Sequence, residues 1–236
     1  MQLKIRDKFL VWDKTDSRYY IVTGGRGSGK SFAINTMLLL LTQEQGHTIL
    51  FTRYTLRSAS ISIIPEFKEK IDLLELNHLF YITKDEIINK QSGSKILFRG
   101  IKTSSGDQTA NLKSLQGITT WVMDEAEELV DESIFDKIDL SVRKKDNDNR
   151  IILVLNPATK EHWIYKRFFE NNGIEEKSNI TKGDVTYIHS TYLDNKENLS
   201  DSYLNRIEEI KRSRPNKYKH QILGAWLEKA EGVIFN

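Results

Sequence analysis

The stretch Tyr19-Tyr20-Ile21-Val22-Thr23-Gly24-Gly25-Arg26-Gly27-Ser28-Gly29-Lys30-Ser31-Phe32-Ala33-Ile34 decides the fold. Its segment Gly24–Ser31 meets every fixed position of the phosphate-binding pattern G-x-x-x-x-G-K-[ST]. Tyr19–Thr23 before it reads as a buried strand. The run from Phe32 to Leu41 after it reads as a helix too apolar to be exposed. Strand, glycine loop and helix form the context the pattern needs. Gly24, Gly25, Gly27 and Gly29 let the backbone curl so that successive N–H groups point at phosphate oxygens. The helix beginning near Lys30 adds its positive end. The Lys30 ammonium is expected to reach the β- and γ-phosphates of ATP, and the Ser31 hydroxyl to ligate Mg2+, which prefers hard oxygen donors. The plain alternative, a glycine turn that matches by accident, does not account for the flanks. Arg26 lies inside the loop, where its guanidinium could lie over the γ-phosphate or be a surface charge.

Working outward, the 236 residues suffice for one large domain, or one domain with a small appendage. Hydrophobic residues make up 39% and charged residues 29%, the balance of a soluble globular chain. The net charge of +2 argues against a whole-molecule polyanion binder, so any nucleic-acid surface must be a local patch. There is no cysteine, which excludes disulfides, thiolate metal sites and thiol nucleophiles. The five histidines show no ligand spacing, and no zinc is expected. No apolar run is long enough to span a bilayer, and charges near Met1 argue against a signal peptide.

Strands are expected at 20–23, 48–52, 95–98, 120–123, 150–155 and 185–190. Helices are expected at 31–44, 61–74, 132–142, 160–170 and 201–211. This alternation predicts an α/β fold with a mainly parallel sheet covered by helices on both faces. The stretch 171–183 reads as a surface loop. From residue 195 the chain becomes polar and helical, with basic residues at Lys211, Arg212, Arg214, Lys217 and Lys219 that read as a solvated helix end in preference to a DNA contact. The expected division is therefore 1–194 as the core and 195–236 as a small helical subdomain.

The second half of a nucleotide site is expected at Trp121-Val122-Met123-Asp124-Glu125. Asp124, ending an apolar strand, should contact Mg2+ directly or through its water. Glu125, one residue on and pointing elsewhere, is placed to polarise the attacking water. The run Ile151–Leu155 ends in Asn156-Pro157, and the Asn156 amide could read the γ-phosphate or the water, or merely start a turn. Trp121, Trp163 and Trp226 read as core residues. Trp12, Tyr19 and Arg18 are candidates to stack on or cap the adenine.

Together these residues resemble the ATPase domain of the phage terminase large subunit. The resemblance covers nearly the whole chain. It rests on Gly24–Ser31 with its internal arginine, on 48–57, on Lys113–Gly117 before the Asp124-Glu125 strand, on Asn156-Pro157 followed by His162-Trp163, and on Tyr192–Asn195 and Gly224–Trp226. It implies a P-loop NTPase of the RecA-like kind with ATP and Mg2+, pumping double-stranded DNA into a procapsid through a portal. It further implies a homo-oligomeric ring when assembled, a monomer as an isolated domain, a small-subunit partner, no membrane, and the cytoplasm of an infected bacterial host. Family members carry a nuclease domain beyond this region, so nuclease activity is not expected in this chain. The family's rings need a cation donated by a neighbour; Arg143 is the first candidate, Lys113 the second, with Arg99 and Arg57 behind them. A helicase-like ATPase or a nucleotide-gated scaffold without catalysis are the alternatives. The first would normally need a second sheet domain, and Glu125 argues against the second.

Overall fold

A computed structural model describes residues 5–11, 15–55, 59–103, 106–107 and 116–229. Among these residues ten strands form one sheet: β1 (Tyr19–Gly24), β2 (Thr48–Thr55), β3 (Phe80–Ile82), β4 (Glu86–Asn89), β5 (Lys95–Thr103), β6 (Gly106–Asp107), β7 (Thr120–Asp124), β8 (Arg150–Leu155), β9 (Ile180–Lys182) and β10 (Val185–Ser190). Their order is β3-β4-β5-β2-β7-β8-β1-β10-β9, with β6 paired to β5. The stretch β5-β2-β7-β8-β1-β10 is parallel throughout. The remaining strands are antiparallel additions at the margins.

All six expected strands are present, and the sheet is covered on both faces as the alternation predicts. Period-two placement of side chains produces this cover. Tyr20, Val22, Ile49, Phe51, Val122, Ile152 and Val154 face one layer, built from the helices Lys30–Leu41 and Ile64–Leu73. Ile21, Leu50, Trp121, Met123, Ile151 and Leu153 face the other, where Phe135, Ile138, Trp163, Phe168 and Trp226 pack. Trp121, Trp163 and Trp226 are core residues, at 0%, 7% and 6% exposure. The Trp121 indole N–H donates to Thr52 Oγ1 at 2.9 Å, so its burial leaves no orphaned donor.

The helices differ from expectation where a local group intervenes. The expected 61–74 helix is split into Ala59–Ser62 and Ile64–Leu73, because Pro65 suits a first turn and not a helix interior. Glu132–Asp139 ends three residues early. There Arg18 takes the carbonyls of Asp139 and Val142, and the chain tightens into i→i+3 turns. The 160–170 helix begins only at Trp163, since Lys160 N–H donates to Leu227 O, and it widens to i→i+5 bonding at Tyr165–Glu170. The expected loop at 171–183 contains β9, an exposed edge strand.

The C-terminal segment holds the helix Asp201–Ser213, capped by Ser200, followed by helical turns at Pro215–Ile222. Tyr192, Ile207 and Ile222 form a small core of their own with Leu199, Tyr203 and Leu204. Lys211, Arg212, Arg214, Lys217 and Lys219 are all exposed. Among the described residues no helix is long and apolar enough to cross a membrane.

Candidate nucleotide and metal site

In a parallel sheet the strands present their C-terminal ends along one edge, and register decides which residues meet there. Gly24 pairs with Ser190, Thr23 with Leu155, Asp124 with Val154, and Thr52 with Met123. The residues that follow are thereby gathered at that edge: the glycine loop after β1, Arg53 of β2, Glu125 after β7 and Asn156 after β8. Lys30, Ser31, Arg53, Asp124, Glu125, Glu127 and Asn156 line one cleft.

The loop has the geometry of a phosphate cradle. Gly29 has φ of 75°, a left-handed backbone that favours glycine, and it precedes the helix Lys30–Leu41. A Cβ at Gly25 would stand 1.9 Å from the Ile222 carbonyl oxygen, so only glycine permits this approach. Three further contacts fix the loop. Arg26 N–H donates to Gln221 O at 2.8 Å. Ser190 Oγ donates to Ser28 O at 3.0 Å, and Asn195 Nδ2 to Gly27 O at 3.0 Å. The Ser28 hydroxyl is buried, with no hydrogen-bond partner among the described residues.

Lys30 is buried, and its Nζ donates to Asn156 Oδ1 at 2.8 Å. Burial pulls its pKa down, while Glu127, Asp124 and Glu125 pull it up. A buried cation in this balance is suited to meet a polyanion. Asn156 Nδ2 in turn donates to Glu127 Oε1 at 3.2 Å. Burial raises the Glu127 pKa, and its other oxygen, Oε2, has no hydrogen-bond partner among the described residues.

Asp124 is the buried last residue of β7, and Glu125 leaves the strand with φ of 56°. That left-handed turn costs roughly 1 kcal/mol for a non-glycine residue, and it separates the directions of the two carboxylates. Arg53 covers the pair. Its Nε and Nη2 donate to Asp124 Oδ2 at 2.9 and 2.7 Å, and it lies 3.8 Å from Glu125 and 3.7 Å from Glu66. Burial works against the Arg53 charge, but Asp124, Glu125 and Glu66 outweigh it and its pKa is raised. Asp124 Oδ1 and the Ser31 hydroxyl remain as hard oxygen donors on the same cleft, a set that fits Mg2+.

Of the expected residues, Lys30, Ser31, Asp124, Glu125 and Asn156 line this cleft, and Gly24–Gly29 form the loop leading into it. Arg26 is exposed at the loop tip. Arg143 is exposed at the opposite edge of the sheet, beside the start of β8, and is outside this chain's own cleft. Arg99 is paired with Asp85. Trp12, Arg57 and Lys113 lie outside the described residues. The adenine candidates Tyr19 and Arg18 are corrected: both are at the N-terminal end of β1, far from the loop, and both bond Asp139. A second cleft beside the loop is lined by Arg6, Phe9, Phe32, Ala33 and Asn195 instead. Arg53 and Glu127 carried no role in the sequence reading. A cation one residue beyond the apolar part of a strand, and a third acid after Asp124-Glu125, were the available signals.

A family model described as the phage terminase large subunit matches residues 16–225. The chain is 30% identical over 226 residues to the terminase large subunit of Bacillus phage SPP1, covering 91% of this chain and 50% of that protein. It is 27% identical to the PBSX phage terminase large subunit of Bacillus subtilis strain 168, covering 90% and 49%. The chain therefore spans about half the length of these curated relatives. Among solved structures, the large terminase of a thermophilic bacteriophage superposes with a TM-score of 0.73 at 18% identity, over 98% of this chain and 54% of that one. The same thermophilic phage protein has been solved with ADP and with ATP-gamma-S.

Proposed function

The chain belongs to the phage terminase large subunit family, and on that premise we propose that it is the ATPase portion of a DNA-packaging motor. It would couple hydrolysis of Mg-ATP to movement of double-stranded DNA into a procapsid. The observation that carries this reading is the convergence of Lys30, the Asp124-Glu125 pair and Asn156 on one cleft beneath a glycine loop. The nucleotides held by the thermophilic phage protein support it.

In this reading the loop N–H groups and Lys30 hold the triphosphate, with Arg26 over its outer end. Ser31 and Asp124 would hold Mg2+, which would supply positive charge against the charge that develops on the leaving group. Glu125 accepts a proton from the attacking water as it adds to the γ-phosphorus and the bridging P–O bond breaks. The base occupies the cleft between Phe9, Phe32 and Asn195. Arg143 is the side chain donated to a neighbouring subunit's site in a ring. Residues 1–194 form the core and 195–236 the helical lid. The lid meets the loop through Gln221 and Ile222, so a change at the phosphates can move it. The motor would work with a portal and a small subunit, in the cytoplasm of an infected bacterium.

Glu125→Gln tests the reading. It is expected to bind Mg-ATP as wild type does and to release phosphate at under about one hundredth of the rate. Unchanged turnover would remove Glu125 from its role.

A further inference from the structure

An asparagine side chain ends in one acceptor and one donor, and which of the two faces a reaction decides what it can do. Here both neighbours of Asn156 demand the same orientation. Lys30 can only donate, and it meets Oδ1 at 2.8 Å. Glu127 Oε1 accepts, and it meets Nδ2 at 3.2 Å. Among the described residues the buried Oε2 of Glu127 has no hydrogen-bond partner, so a proton carried there would still leave Oε1 an acceptor. Glu127 reaches this position because the left-handed turn at Glu125 leads into the short turn Ala126–Glu128, which carries the chain back towards β8.

We propose that Glu127 is a positioning residue of the hydrolytic site, fixing the Asn156 amide so that its carbonyl oxygen, and not its NH2, faces Lys30 and the cleft. The inference rests on the reading of the cleft as an ATP site. Once Lys30 engages phosphate, the freed Oδ1 can accept a hydrogen bond from the attacking water, whose proton goes to Glu125. It cannot donate to a γ-phosphate oxygen. Asn156 is thereby assigned to the water, and Glu127 is what makes it so.

The test is a swap read by single-turnover hydrolysis of Mg-ATP by this chain, with ATP affinity and denaturation midpoint measured for each variant. Asn156→Asp sets a carboxylate against Glu127 and is expected to lower the hydrolysis rate about tenfold or more. In Glu127→Gln with Asn156→Asp the glutamine NH2 donates to the aspartate, whose other oxygen still faces Lys30. The rate should return to within about threefold of wild type. Glu127→Ala frees the amide to turn and should lower the rate about tenfold with nucleotide affinity held. It serves as the second probe if Asn156→Asp does not fold. A double variant that regains stability but not rate, or an alanine variant as fast as wild type, overturns the proposal. A wild-type chain that neither binds nor hydrolyses ATP overturns the ATP-site reading, and this inference with it. Normal wild-type turnover without rescue sinks this inference alone.

Discussion

Replacing Arg53 with methionine strips the guanidinium from Asp124 while keeping most of the stem. Arg53 gives Asp124 Oδ2 two charged hydrogen bonds, at 2.9 and 2.7 Å, from a side chain 18% exposed to one 8% exposed. Removing one partner of a fully buried ion pair costs about 3–5 kcal/mol, because the other charge is left uncompensated. Some solvent reaches this pair, which favours the lower end. Glu125 at 3.8 Å and Glu66 at 3.7 Å from Arg53 add two more acids to the uncovered cluster. The expected loss is about 3 kcal/mol in the presence of a chelator. Magnesium should return part of it, about 1 kcal/mol or more near saturation, because a divalent ion takes the place of the guanidinium as counter-charge. The wild type should gain less, since Arg53 competes for Asp124. Urea midpoints of both proteins with chelator and with magnesium measure all four quantities. A loss under about 1 kcal/mol, typical of a surface pair, would refute the burial argument. Equal magnesium gains would refute the competition.

Gly25→Ala drives a Cβ to 1.9 Å from Ile222 O and 2.3 Å from its carbonyl carbon, both backbone atoms. It should cost about 3 kcal/mol and undock the Gln221–Leu223 turn, seen as about hundredfold faster hydrogen exchange at the Arg26 amide that bonds Gln221; unchanged exchange would count against the clamp. His189 is held neutral between Thr23 Oγ1 at 2.9 Å and Leu223 O at 3.0 Å, and burial pushes its pKa down to about 4. Its folded pKa lies below the unfolded value near 6.5, so its stabilisation is complete above about pH 6.5 and is lost as pH falls towards 4, by about 3 kcal/mol at most. The stability difference between wild type and His189→Gln should change sign or shrink over that window, and a pH-independent difference would contradict it. Asp139→Ala takes the carboxylate from Arg18 and Tyr19 at the far end of β1 and should cost about 2 kcal/mol in denaturation without altering nucleotide affinity; a change in affinity would join two ends of the sheet that the fold keeps apart.

What could be read in advance follows from the range of the forces involved. Tyr20–Thr23, Val122–Met123 and Ile151–Leu155 are buried on both faces, so their apolar runs announce themselves without knowledge of their neighbours. The glycine loop is equally local, since its φ values and its lysine are fixed by chemistry within eight residues. β3, β4 and β9 are three or four residues long and at sheet margins, where pairing partners and not composition make the strand. Arg53 and Glu127 were silent for a related reason. Their roles come from cross-strand register, Thr52 opposite Met123, and from the positive φ of Glu125, neither of which a sequence displays. Tyr19 and Arg18 misled because nearness in sequence to the loop is distance along a strand, and six residues of β1 carry them to the opposite edge.

The central claim is that the buried Lys30 and the Asp124 edge of β7 converge on one metal-bound triphosphate, Lys30 on its phosphates and Asp124 on the metal. Titration calorimetry of Mg-ATP into the wild type and into Lys30→Ala and Asp124→Asn addresses it directly. Wild type should bind, Lys30→Ala should lose affinity about a hundredfold or more, and Asp124→Asn should lose the magnesium dependence of binding. Binding by Lys30→Ala at wild-type strength, or a magnesium dependence unchanged by Asp124→Asn, would contradict it.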